Sequence, residues 1–471
     1  MNAFDKLPVE LYDLISKFTV NAHGGLLCGL CVLTQLSKRN YMIFNPFLYR
    51  ILDNNAIPLA SPHPASFVKE LWLNFIVHGD HPEEEKRESL NMFRRDVGLA
   101  MANIIAHASG DAPGLQVLWI DCDFLPFPEL LDKANIKECL KMLKAICGPS
   151  LTCLDLDLCL KDDAPPLEPR YFAQILQQIG ETCPNLSELI IQIPDPGKQH
   201  PVTPIMTALN IMRFPKLTYL EFYYGGVVGS EFDWDQFLLN HPTVDTFKYC
   251  SHHKAIPSNA LPHLKNFETV FHHRAVLSLG AYRLLSNLVM WLFSPFEDDE
   301  LHELRDLLKE MPNLRSFTLE EHDWLDDDYH GLSCYEFLTL IEACPKLTYL
   351  RCHISWTCPI EHIYVNTWKT LPRIETLRLI VYRPSLHRFL DPQNIDSRPS
   401  ELAKFEWDKM MSPSPNLSTP QSLHTIELGI YGWLHEIEIS AKPEVFFMVL
   451  FEMVEKNGGR EPEMIGFTLT V

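Results

Sequence analysis

"CPKLTYLRC" spans residues 344–352, and "FPKLTYLEF" has already occurred at 214–222. Pro-Lys-Leu-Thr-Tyr-Leu written twice at such a distance marks an internal repeat. Further copies share the core Pro-x-Leu-x-x-Leu-x-Leu: "GPSLTCLDL" (148–156), "CPNLSELII" (183–191), "MPNLRSFTL" (311–319), "LPRIETLRL" (371–379) and "TPQSLHTIEL" (419–428). Looser ones are "APGLQVLWI" (112–120), "HPTVDTFKY" (241–249) and "SNLVMWLF" (286–293).

The end of each copy alternates like a strand. Residues two apart share a face, so Leu350 and Cys352 point one way and Tyr349 and Arg351 the other. Helical patterns precede several copies. "DELHELRDLLKEM" (299–311) sets Leu301, Leu304, Leu307, Leu308 and Met311 on one stripe, and "SCYEFLTLIEAC" (333–344) opens with Ser333 and Glu336 at capping-box spacing. Pro312 and Pro345 then stop the helices, because the ring removes an N–H and pushes the preceding residue out of the α region. Each unit therefore reads helix, proline stop, short strand, and only stacking of many units buries the apolar faces.

This pattern resembles the leucine-rich repeat family, in its cysteine-containing variety whose helix ends in Cys-Pro-x-Leu, as at Cys183-Pro184 and Cys344-Pro345. The resemblance implies an α/β solenoid over residues 65–471, with parallel strands on the concave face and helices on the convex face. Residues 250–285 and 384–420 fit the repeat worst, the latter as an irregular insertion holding "SPSPNLSTP" (412–420). An arbitrary α/β protein is the rival, set against a proline-leucine phase that recurs through the chain.

Residues 1–52 lack the repeat. Pro8 suits a first helical turn, and Leu7, Leu11, Leu14, Ile15 and Phe18 follow helical spacing, with Leu30, Leu33 and Leu36 in a second apolar stretch. "SKRNY" and "NPFLYRIL" follow. Leu-Pro-x-Glu-Leu, the leucine-rich middle ending in Ser-Lys-Arg, and Pro-x-Leu-Tyr-Arg together resemble the F-box family. That resemblance implies an all-α module over 1–52, followed by a linker at 53–64, that docks on the Skp adaptor of a cullin ubiquitin ligase. It assigns adaptor contact or core positions to Leu7, Pro8, Leu11, Ile15, Leu33 and Leu36. The chain departs from the family in its longer connector "TVNAHGGLLCG" (19–29) and in Tyr41, where many members carry Trp. The other reading of residues 1–52 is a helical cap on the first repeat.

A net charge of −21 over 471 residues argues against a nucleic-acid or anionic-membrane partner and favours a basic one. The opening residues have no secretory pattern and no apolar run is long enough to span a bilayer, so a cytoplasmic or nuclear protein with reduced cysteines is expected.

Searches for chemistry find no complete constellation. "GGVVG" (225–229) has the wrong glycine spacing for a dinucleotide turn, "HELRD" (302–306) carries Asp306 where a second zinc histidine belongs, and "GPSLT" (148–152) has Thr152 in place of the last glycine of a nucleophile elbow. Cys28-x-x-Cys31 sits in an apolar run, Cys352, His353, Cys358 and His362 form a loose cluster, and His252-His253 and His272-His273 are read as loop histidines. No catalytic residue, metal or cofactor is expected.

The strand residues facing away from the core are Trp72, Trp119, Asp121, Asp155, Asp157, Tyr219, Glu221, Tyr223, Lys248, Tyr349, Arg351, His353 and Arg378. Aromatic area beside charge suits protein recognition, and the acidic earlier half points to a target with a basic segment. The expected function is substrate recognition within a cullin-type ubiquitin ligase, the alternative a repeat scaffold for protein assembly.

Overall fold

A computed structural model describes residues 51–53, 69–74, 115–121, 140, 143–144, 147–157, 169–193, 203–224, 235–250, 256–270, 280, 282–292, 296, 298–321, 331–355, 360–382, 422–433, 444–456 and 459–470. The six F-box-like positions from Leu7 to Leu36 lie outside them, as do residues 54–64 of the expected linker and the insertion at 384–420. The chain divides into two compact units, Met1–Val244 and Asp245–Val471.

In the first unit, β1 (Ile51–Asp53), β2 (Glu70–Asn74), β3 (Val117–Asp121), β4 (Cys153–Asp157), β5 (Glu188–Ile193) and β6 (Tyr219–Tyr224) pair in chain order, each parallel to the last. Helix α1 (Pro169–Thr182) lies between β4 and β5, α2 (Thr203–Ile211) between β5 and β6, and α3 (Asp235–Asn240) follows β6. In the second unit, β7 (Thr246–Cys250), β8 (Asn266–Val270), β9 (Asn287–Leu292), β10 (Ser316–Glu321), β11 (Tyr349–Ser355), β12 (Thr376–Tyr382) and β13 (Thr425–Trp433) pair in chain order, each parallel to the last. Helices α4 (Asp298–Lys309), α5 (Cys334–Ala343) and α6 (Ile360–Thr370) connect β9 to β12. The described residues thus form an α/β fold on open parallel sheet, with the sequential connectivity of a repeat protein.

The strand alternation is as the sequence dictates. Along β11, Leu350, Cys352 and Ile354 are buried while Tyr349, Arg351, His353 and Ser355 are half-buried. The α4 stripe, Leu301, Leu304, Leu307, Leu308 and Met311, is buried throughout, each side chain contributing about 2 kcal/mol of burial. Ser333 and Glu336 close the capping box that opens α5. Helices α4 and α5 end ahead of Pro312 and Pro345.

The remaining letters of the repeat have a cross-repeat function. The hydroxyl before the strand donates to the carbonyl one repeat back: Thr152 to Gln116 (3.2 Å), Ser187 to Thr152 (3.0 Å) and Thr218 to Ser187 (3.2 Å) in the first unit, and Thr348 to Arg315 (3.4 Å) in the second. The residue after proline does the same one step earlier, Asn185 to Pro149 O (2.7 Å), Asn313 to Arg283 O (3.1 Å) and Lys346 to Pro312 O (3.3 Å). The hydroxyls add to backbone N–H donors that already reach the same carbonyls, as Thr152 N–H and Cys153 N–H reach Gln116 O.

Three features differ from the sequence expectation. Residues 250–285 contain an in-phase copy, "LPHLKNFETV" (261–270), which forms β8. Its repeats are short: Thr246 stands opposite Asn266, and Asn266 opposite Asn287, steps of 20 and 21 residues, against 33 from Ser316 to Tyr349. Among the described residues of these connections are a 3-10 turn at Tyr282–Leu284 and Leu261, which takes a left-handed backbone (φ 51°) to make the corner. Ile51–Asp53, expected at the junction of helical module and linker, are a strand on Glu70–Trp72. At the other end, β14 (Glu444–Lys456) and β15 (Gly459–Thr470) run antiparallel, β14 on β13 and β15 on β14, where a parallel repeat was expected.

Candidate functional site

The side of each sheet turned away from the leucine core is the candidate surface. In the first unit, strand register aligns Trp72, Trp119, Asp155, Ile190 and Glu221 in one row and Asn74, Asp121, Asp157, Gln192 and Tyr223 in the next. Trp119 is 39% exposed, less than Ile211, Leu284 and Tyr335 elsewhere among the described residues. Asp155 and Glu221 are half-buried in the same row, but Ile190 intervenes, so their strands stand about 10 Å apart. Asp121 and Asp157 are opposite each other in register; like Trp72, they are described by backbone alone.

Three expected residues converge on β6. Tyr219, Glu221 and Tyr223 alternate onto one face, where both phenols donate to the carboxylate: Tyr223 at 2.6 Å to Oε1, and Tyr219 to Oε2. The acid is thus held between two rings and oriented by them.

The second unit is organised by ion pairs. Register aligns Lys248, Glu268, Val289, Thr318, Arg351 and Arg378 across β7 to β12. Lys248 Nζ lies 3.4 Å from Glu268 Oε2, and the Trp291 indole donates to Glu268 Oε1 at 3.0 Å. Arg351 Nη1 meets Glu320 Oε1 at 2.9 Å, with both side chains largely out of solvent. Arg378 stands opposite Arg351, His353 opposite Ile380, and Tyr349 opposite Thr376. Glu268, Trp291 and Glu320 were missed from sequence, although strand alternation in "NFETV", "SNLVMWLF" and "RSFTLEE" puts each on this side.

The end of β11 is braced by a short parallel bridge. Leu332 N–H donates to His353 O (3.0 Å) and Ser355 N–H to Leu332 O (2.8 Å). Gly331 makes the approach, at φ +80°, where an added Cβ would lie 2.8 Å from the Ile354 carbonyl carbon.

Cys352 and His353, two members of the loose Cys/His cluster, are separated by strand alternation: the thiol is in the core and burial pushes it up, whereas the imidazole is on the other face. Cys358 lies outside the described residues, as do both histidine doublets and "GGVVG", and His362 is described by backbone alone, in α6. Among the described residues no group of three or more His, Cys, Asp or Glu side chains is placed to hold a metal ion. His302 and Asp306 of "HELRD" are exposed, Asp306 accepting from Arg305 (2.9 Å) and Lys309 (3.2 Å). Ser150 donates to Leu115 O (2.9 Å), another cross-repeat tie. What the described surface offers is contact area and fixed charge.

No protein-family model matches the chain, and no curated protein matches it. Among solved structures it is similar to a chain in the crystal structure of the Rad7 and Elc1 complex in yeast, at 12% identity and a TM-score of 0.36, covering 79% of this chain and 88% of that one. Neither fold nor partner transfers from one chain to another at that level.

Proposed function

We propose that this chain is the substrate-recognition subunit of a cullin-type ubiquitin ligase, acting in the cytoplasm or nucleus. Its N-terminal module docks a Skp-type adaptor, and the non-core face of its parallel strands holds a target protein. The observation that carries recognition is the composition of that face: Trp119 standing in solvent in the row of Asp155 and Glu221, opposite a core sealed by leucines. Exposed aromatic area flanked by fixed acids selects a polypeptide with a basic segment. The adaptor half rests on the F-box resemblance of Leu7, Pro8, Leu11, Ile15, Leu33 and Leu36. Catalysis is by proximity, the chain raising the local concentration of target lysines without supplying a nucleophile.

Co-expression with a Skp-type adaptor tests this reading. Stable co-purification is expected, lost in the Leu7→Ala/Pro8→Ala double variant while circular dichroism is unchanged. Failure of the unaltered protein to bind any Skp-type adaptor refutes it. The alternative, a scaffold whose first residues merely cap the repeats, is favoured by one observation: Ile51–Asp53 already pair with β2, so the sheet begins where the expected helical module was to end.

A further inference from the structure

The face opposite the leucine core is charged differently in the two units. In the second, cations and acids neutralise one another: Lys248 Nζ lies 3.4 Å from Glu268 Oε2, and Arg351 Nη1 lies 2.9 Å from Glu320 Oε1. In the first, three rows cross β2 to β6 in register, those of Cys153, of Trp119 and of Asp157. Their acids are Glu70, Asp121, Asp155, Asp157, Glu188 and Glu221, and no position in the three rows holds Lys or Arg. The Cys153 thiol senses this charge: burial first, then Glu188, Asp155 and Glu70, push it up to about 12. The occupant that complements such a face is cationic.

The row of Trp119 narrows the choice of cation. Trp119 stands between Trp72 on β2 and Asp155 on β4, one strand spacing of about 4.8 Å from each. The Trp119 side chain is partly in solvent and Asp155 is half-buried. An indole next to a carboxylate suits a guanidinium better than an ammonium. The planar group can stack on the ring and still offer N–H donors from its edge to the acid, whereas an ammonium is a compact point charge.

Glu221 lies further along the same row, three strand spacings or about 14 Å from Trp119. An extended peptide rises about 3.3 Å per residue and turns alternate side chains to one face, so residues four apart share a face and stand about 13 Å apart. The Tyr219 and Tyr223 hydroxyls orient the Glu221 carboxylate, which keeps its charge and has acceptor sites to spare.

We propose, resting on the reading that this face holds a target with a basic segment, that the segment is extended, crosses the strands of the first unit and carries two arginines four residues apart. The first stacks on Trp119 and pairs with Asp155. The second pairs with Glu221.

Fluorescence anisotropy of labelled short peptides with the unaltered chain tests the assignment. One peptide carries Arg-Gly-Ser-Gly-Arg between Gly-Ser flanks, a second Lys-Gly-Ser-Gly-Lys, and a third the two arginines one residue closer. The first is expected to bind roughly tenfold tighter than either of the others. Trp119→Ala should erase the preference for arginine over lysine, and Glu221→Gln the preference for spacing. Equal affinity for arginine and lysine, or for the two spacings, overturns the proposal and leaves the basic-target reading standing, as does a Trp119→Ala chain that keeps the arginine preference. Binding of none of the peptides overturns both, and leaves adaptor co-purification as the separate test of the N-terminal module. If a variant loses its native circular dichroism, the comparison of peptides on the unaltered chain decides alone.

Discussion

His241 gives the sharpest quantitative expectation. It is fully buried at the end of α3, between the rings of Phe214 and Phe237, with Nδ1 donating to Phe237 O (2.6 Å) and Nε2 accepting from Phe214 N–H (2.9 Å). Both nitrogens are used by the neutral ring, one as donor and one as acceptor, and a proton on Nε2 would meet the Phe214 N–H head-on. Burial first, with the Arg213 charge as a smaller contribution, takes its pKa down from 6.5 to about 4. The folded state therefore binds fewer protons than the unfolded state as pH falls below 6.5, and stability drains until the folded-state value is reached. The loss is about 2 kcal/mol by pH 5 and about 3 kcal/mol by pH 4. Other carboxylates titrate in the same window, so the measurement is a difference: urea unfolding of the wild type and of His241→Leu, followed by circular dichroism from pH 7.5 to 4. At pH 7.5 the variant should be weaker by roughly 2–4 kcal/mol, because Phe214 N–H and Phe237 O are left unpaired. By pH 4 the gap should have closed by about 3 kcal/mol. Curves that stay parallel across the range would refute a neutral, buried role for this ring.

Two further changes probe the second unit. Arg351→Leu strands the Glu320 carboxylate in a poorly solvated site and should cost about 3–5 kcal/mol in urea unfolding, whereas Glu320→Leu/Arg351→Leu should lose much less. A double variant as weak as the single one would mean that the pair does not act as a unit. Gly331→Ala must accommodate a 2.8 Å contact and a left-handed backbone, so the cost is at least about 1 kcal/mol, with faster amide exchange at Ser355, whose N–H the bridge holds. Unchanged exchange there would show that the bridge is dispensable.

The strand alternation and helix stripes were legible because burial has a fixed period, as the agreement at Leu350, Cys352 and the α4 leucines shows. The β8 repeat was hidden because Leu261 stands at its corner and its register steps of 20 and 21 residues fall short of the 33 between Ser316 and Tyr349. The β14–β15 pair was missed although Asn457-Gly458 separates the paired residues Lys456 and Gly459, a dipeptide strongly favoured in two-residue hairpin connections. At the surface, alternation selects the side on which a residue lies and says nothing of which neighbours it meets. That depends on register between strands 20 to 49 residues apart, which brought Glu320 to Arg351 and set Ile190 between Asp155 and Glu221.

The antiparallel pair β14–β15 covers the edge that β13 would otherwise present. A parallel array offers its last strand as a template on which another copy, or another molecule, could be laid down indefinitely. A chain cut before Glu444 would bare the β13 backbone along Thr425–Trp433 and invite polymerisation.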